Sequence, residues 1–140
     1  MSILHLENIK LSIKENPNKI PVIVISYNNG SYVENIINQL QKFGIKPIIF
    51  DNCSDDNNTL YLLRKIRETQ KASVIFLPKN FGHYVGFIKE IYDLLPEVFG
   101  YTDPDLQFSS NLPPNFIDVL AELTVNYSVY KAGFALSIDA

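Results

Sequence analysis

The most chemically suggestive residues of the sequence are two carboxylates one position apart, in Tyr101-Thr102-Asp103-Pro104-Asp105-Leu106. On an extended chain Asp103 and Asp105 turn to the same side, because side chains alternate with a period of two. Oxygen donors of this kind suit Mg²⁺ or Mn²⁺, and such an ion completes its shell with substrate phosphates and water. The alternative is that Asp103 caps the turn before Pro104 while Asp105 faces solvent. Asp51 follows an apolar run and is placed to accept hydrogen bonds from a ribose hydroxyl or a base N–H, as acids do in doubly wound nucleotide sites. Its competing role is that of a helix-start acid, a role that also suits Asp55 and Asp56. In Asn80-Phe81-Gly82-His83, Gly82 lets a ligand approach the backbone closely. His83 either pairs with a phosphate or faces solvent. Cys53 has no base beside it in the sequence and is not read as a nucleophile.

An alternation of apolar runs and helical periods must position these residues. Ile20 to Ser26 is a β-branched run bounded by turn formers, the pattern of a strand buried on both faces. After the loop Tyr27 to Gly30, Ser31 and Glu34 have the spacing of a capping box. Val33, Ile36, Ile37, Leu40 and Phe43 then recur at helical spacing, with Gly44 as the stop. Ile45 to Phe50 predicts a second strand, which Pro47 draws toward a sheet edge. A polar loop from Asp51 to Asn58 leads to a helix over about Thr59 to Thr69. Ser73 to Leu77 is a third strand, Val85 to Leu95 a helix, and Val98 to Thr102 a fourth strand. A helix follows over about Asn115 to Asn126. Val129 to Ile138 alternates as a half-buried fifth strand.

This order predicts an α/β fold: a mostly parallel, Rossmann-like sheet with helices on both faces. Such sheets bind ligands beyond the carboxyl ends of their strands, at a topological switch point. The loops after strands one to four are therefore the ones expected to converge. The whole chain, 1–140, reads as one domain, with 1–19 a leader or packed helix and 20–138 the core. Ile3, Leu6, Ile9 and Ile13 have the spacing of that helix.

Composition narrows the classes. The chain has 140 residues, 46% apolar and 19% charged, which is ordinary globular composition. Twelve basic residues against fifteen acidic ones give a net charge of −3, which counts against nucleic-acid binding. One cysteine, Cys53, excludes an internal disulfide, and two histidines, His5 and His83, make a His-based metal centre a poor fit. No apolar run is long enough to span a membrane, and no signal-peptide pattern opens the chain. The expected location is cytoplasmic, with peripheral contact at the inner face of a membrane as the variant. There is no Gly-x-Gly-x-x-Gly after strand one, no Walker A loop and no Gly-x-Ser-x-Gly elbow. Strand one also lacks the trailing acidic pair of a phosphoacceptor receiver.

Four segments together resemble the nucleotide-sugar-dependent glycosyltransferases of the GT-A fold, in particular those of family 2. They are the opening strand Ile20-Pro21-Val22-Ile23-Val24-Ile25-Ser26-Tyr27-Asn28, then Ile49-Phe50-Asp51-Asn52-Cys53-Ser54-Asp55-Asp56, with Cys where Gly is usual, then Asn80-Phe81-Gly82, and finally Asp103-Pro104-Asp105 at the place of the metal-binding Asp-x-Asp. The resemblance covers about residues 20 to 117. It implies a nucleotide-diphosphate sugar as donor, UDP-sugar foremost, and Mn²⁺ or Mg²⁺ as cofactor. It implies that Ser26, Tyr27, Asn28, Asp51, Asn52, Asn80, Gly82 and Asp103 bind the nucleotide sugar, and that Asp105, helped by Asp103, holds the ion. The associated cell role is surface-glycan synthesis. These enzymes normally continue well beyond Asp-x-Asp, whereas 35 residues follow Asp105 here. The expectation is therefore a donor-binding half without an assignable general base, and the rival is a non-catalytic binding module of the same ancestry. The alternating strand from Tyr130 to Ile138 is expected to leave an apolar face for self-association.

Overall fold

The computed structural model describes residues 3–133. The chain divides into two compact units, Met1–Phe108 and Ser109–Ala140. The first holds a four-stranded, all-parallel sheet of β1 (Val22–Ser26), β2 (Ile48–Asp51), β3 (Ser73–Phe76) and β4 (Gly100–Thr102), in the order β3-β2-β1-β4. The register sets Ile23 beside Ile48 and Tyr101, and Ile48 beside Ser73.

Helices α1 (Ile3–Glu15), α2 (Gly30–Lys42), α3 (Asn57–Glu68) and the single turn α4 (Lys89–Tyr92) complete this unit. Strand side chains alternate between two cores. Ile23, Ile25, Ile48, Phe50 and Ile75 join Ile9 of α1 and Ile91 of α4 in one buried cluster. Val33, Ile36, Ile37 and Leu40 of α2, with Leu63 and Ile66 of α3, are buried on helices that contact β1 and β3 respectively. Ile9 has no exposed surface, so the N-terminal segment is a helix packed into the domain. In the second unit α5 spans Phe116–Asn126 and buries Phe116.

The differences from the sequence reading have local causes. Pro47 does not push β2 to an edge, since β2 lies between β1 and β3. Pairing of β2 begins at Ile48, so the N–H that proline lacks is not needed, and the Pro47 carbonyl accepts from Ser73 N at 3.1 Å. Ser31 does not cap α2: the helix begins at Gly30, with Asn29 in the cap position. The expected helix over 85–95 is a 3₁₀ turn, Val85–Phe87, followed by α4, because Ile88 is extended between them. Of the expected fifth strand, residues 129–133 are irregular and Tyr130 is fully exposed. Residues 134–138, with Phe134, Leu136 and Ile138 of the expected apolar face, lie outside the described residues. The described residues therefore form four strands, not five.

Candidate functional site

The chain moves from β1 to β2 to β3 in one direction and then returns to place β4 on the other side of β1. The switch point thus lies between β1 and β4, where a parallel sheet opens a crevice at its carboxyl edge. A cleft of about 350 Å³ lies there, lined by Ile25, Tyr27, Asn29, Tyr32, Asn52, Asn80, Gly82, His83, Asp103, Pro104 and Asp105. All four strand-end loops contribute to it.

The floor is a network of asparagines and short polar side chains. Asn28 adopts φ 50°, a left-handed conformation that asparagine tolerates. Its Oδ1 accepts from Asp55 N at 3.0 Å and Asp56 N at 3.1 Å, and its Nδ2 donates to Asp55 Oδ1 at 2.8 Å. Its own N–H donates to Ser54 Oγ at 2.9 Å. Asn28 therefore clamps the first loop to the second. Asn29 Oδ1 folds back to accept from Ser26 Oγ at 3.2 Å and Tyr27 N at 3.1 Å, which explains why it makes no side-chain cap on α2.

Asp51 has no exposed surface. Its Oδ2 accepts from Ser54 N at 2.9 Å and its Oδ1 from Ser54 Oγ at 2.6 Å. Asp56 is the N-cap of α3; hydrogen bonds from the Thr59 hydroxyl and then the Thr59 N–H hold its carboxyl below the usual range. Asp56 is thus the helix-start acid of this loop, and Asp55 is the partner of Asn28.

Asn52, nearly buried, reaches across to the third loop. Its Nδ2 donates to the Gly82 carbonyl at 3.0 Å and its Oδ1 accepts from Phe81 N at 3.1 Å. Gly82 sits at φ 86°, where glycine is favoured, and its N–H donates to Asn80 Oδ1 at 2.8 Å. On the other flank the Tyr101 hydroxyl donates to the His83 carbonyl at 2.6 Å and accepts from Gly86 N at 3.1 Å. Burial, with a smaller contribution from the nearby Asp103 charge, pushes the Tyr101 phenol up to about 12. A Cβ on Gly86 would lie 2.5 Å from the Tyr101 ring, so glycine is required for this contact.

Pro104 is buried while Asp103 and Asp105 on either side are exposed and line the cleft. The chain bends at Pro104, which borders the cleft together with both carboxylates. His83 Nδ1 lies 3.7 Å from Asp103 Oδ1. Among the described residues no three His, Cys, Asp or Glu side chains group as a ready-made metal cage. Two carboxylates facing one cleft nevertheless fit a hard cation that takes its remaining ligands from phosphate and water.

Of the site residues read from the sequence, Tyr27, Asn52, Asn80, Gly82, Asp103 and Asp105 line the cleft; Ser26, Asn28 and Asp51 do not line it and instead hold its loops. Asn29 and Tyr32 also line it and were not among the candidates. Tyr32 is an exposed aromatic in the first turn of α2, and no local pattern marks it. Asn29 was legible only as a loop residue.

This is an α/β protein whose cleft opens at the switch point of a parallel sheet, where such folds take nucleotide and related ligands. The Glycosyl transferase family 2 model matches residues 22–134, and the chain belongs to that family. Membership implies a nucleotide-sugar donor. No curated protein and no solved structure matches the chain. Among the described residues no helix is long and apolar enough to cross a membrane.

Proposed function

We propose that the cleft binds the diphosphate sugar of a nucleotide, UDP-sugar foremost, as donor for glycosyl transfer in surface-glycan synthesis. Asp105, helped by Asp103, would hold Mn²⁺ or Mg²⁺. The observation that carries this reading is the charge of the lining: Asp103 and Asp105 face the cleft, and no Lys or Arg is among its lining residues. A bare diphosphate placed there would meet like charge, so an added cation is what makes the site attractive. When bound, the ion supplies Lewis-acid stabilisation of the leaving diphosphate.

The remaining roles follow from position. Tyr27, exposed at the cleft, offers a ring for the nucleoside, while Ser26 and Asn28 fix the backbone that presents it. Asn52, Asn80 and Gly82 shape the wall beside the diphosphate. Asp51 serves the nucleoside side by holding the Ser54 loop.

Calorimetric titration with UDP, with and without Mn²⁺, tests the proposal. UDP is expected to bind weakly alone and more tightly with metal, and Asp105→Ala is expected to abolish the metal-dependent gain. Equal binding by the wild type in a chelator would refute the metal bridge. If no nucleoside diphosphate binds at millimolar concentration, the non-catalytic module becomes the better reading.

A further inference from the structure

The charges of the first unit are segregated along the strand direction. The acids Asp55, Asp56, Asp103 and Asp105 follow strand ends or open α3, at the carboxyl edge, where Lys79 after β3 is the lysine among them. Six lysines occupy the opposite edge, where the strands begin. Lys14 and Lys42 lie in the last turns of α1 and α2, and Lys65 in that of α3. Lys19, Lys46 and Lys71 lie in the loops that enter β1, β2 and β3. Three carboxylates share this edge: Glu15 and Glu68 at helix ends, and Glu97 in the loop that enters β4.

Helix-end lysines complement the helix dipole and need no further role. The loop lysines have no such explanation. Ile48 pairs with Ser73 in the register, so Lys46 and Lys71, each two residues earlier, enter adjacent strands at matched positions. Neighbouring strands lie about 4.8 Å apart, so the two loops enter the sheet side by side. Five of the six lysines are exposed and Lys46 is half-buried. The ion pairs among the described residues are His83–Asp103 and Lys89–Asp93, and none of the six takes part in one.

The loops bearing these lysines are also tied together. Lys46 N donates to Asn18 Oδ1 at 2.9 Å and the Lys46 carbonyl accepts from Asn16 Nδ2 at 2.8 Å. Asn18 Nδ2 donates to the Gly44 carbonyl at 3.0 Å, and Ser73 N donates to the Pro47 carbonyl at 3.1 Å. The backbone of the basic edge is thus organised as one platform across β1, β2 and β3.

We propose that this edge docks on an anionic lipid surface. The array spans three neighbouring loops and is made of lysines, which act as point charges toward a plane of phosphates; planar, bidentate recognition of single groups would favour arginine. Arg67, in the last turn of α3, sits over the Phe76 ring at 5.2 Å. The same charge pattern sets the orientation. The acidic carboxyl edge is repelled by the surface that attracts the lysines, so the cleft faces away from the bilayer and stays open to a soluble ligand. The inference does not depend on which ligand the cleft takes.

Vesicle co-sedimentation tests it, using the full chain and phosphatidylcholine vesicles with and without about 30 mol% phosphatidylserine. Binding is expected only to the anionic vesicles, at roughly 0.05 M salt, and is expected to be lost at roughly 0.5 M. Each surface lysine contributes about a fivefold gain, so the double variant Lys46→Gln/Lys71→Gln is expected to bind about 25-fold more weakly. Lys79→Gln/Lys89→Gln has the same net charge, removes cations outside the basic edge, and is expected to bind within about twofold of the wild type. Circular dichroism melts establish that both variants are folded. Equal binding to neutral vesicles, an equal loss in the two variants, or no binding by the folded wild type at low salt would each overturn the proposal. Binding to a single-stranded RNA homopolymer without binding to vesicles would overturn it too, and would assign the edge to nucleic acid.

Discussion

Replacing Tyr101 by Phe removes one oxygen beside the third loop and two hydrogen bonds with it. The hydroxyl donates to the His83 carbonyl at 2.6 Å and accepts from Gly86 N at 3.1 Å. The His83 carbonyl is in an exposed loop and can turn to water. Gly86 is buried, so its N–H is left unpaired, a loss of about 1–3 kcal/mol. The phenol also makes the loss depend on pH. Its folded value is about 12 against an ordinary value of 10.0, raised mainly by burial. A raised value means that the native state holds the proton more tightly. The phenol's contribution is therefore complete below pH 10 and disappears as pH rises through 12. Allowing for screening at this half-buried position, the raised value is linked to about 1–2 kcal/mol of stability. Urea unfolding of both proteins at intervals from pH 8 to pH 12 measures this. Tyr101→Phe should be the less stable protein at pH 8, and the gap should close as pH rises, because only the wild type has this group to ionise. Parallel stability curves, or a variant as stable as the wild type at pH 8, would refute the reasoning.

Ile9→Ala should destabilise the protein by about 2–5 kcal/mol in the same assay, because Ile9 is fully buried against the sheet; a change below about 0.5 kcal/mol would mean that α1 is not part of the core. Gly30→Ala should cost about 1–3 kcal/mol, since its Cβ would lie 2.8 Å from the Thr59 backbone, where α2 meets α3. Asp51→Ala should lower stability by about 1–3 kcal/mol by stranding the Ser54 donors, and weaken UDP binding with and without Mn²⁺. Asp105→Ala, exposed at the cleft, should change stability by less than about 0.5 kcal/mol, so thermal melts and titrations together separate the two acids.

The sequence alone determined the elements whose causes are local. The β-branched runs at Ile20, Ile45 and Ser73 became the strands β1 to β3, and the 3.6-residue periods became α1, α2, α3 and α5, because backbone period and side-chain alternation are set residue by residue. The grouping of the acids and asparagines in loops after strands was equally legible. Tertiary structure decided what meets what. Strand order put Pro47 at the mouth of an interior strand and β4 beside β1, so that Asp103 and Asp105 face the loop of Tyr27. Packing of Gly86 against Tyr101 accompanied the break in the periodic segment 85–95. Ser54 claimed both oxygens of Asp51, Asn28 clamped the second loop, and Tyr101 anchored His83 beside Asp103. These pairings join residues up to about 28 positions apart, and the entropy cost of closing such spans grows only slowly with their length. Their geometry comes from the sheet that brings the loops to one edge, and that is why no single segment could announce it.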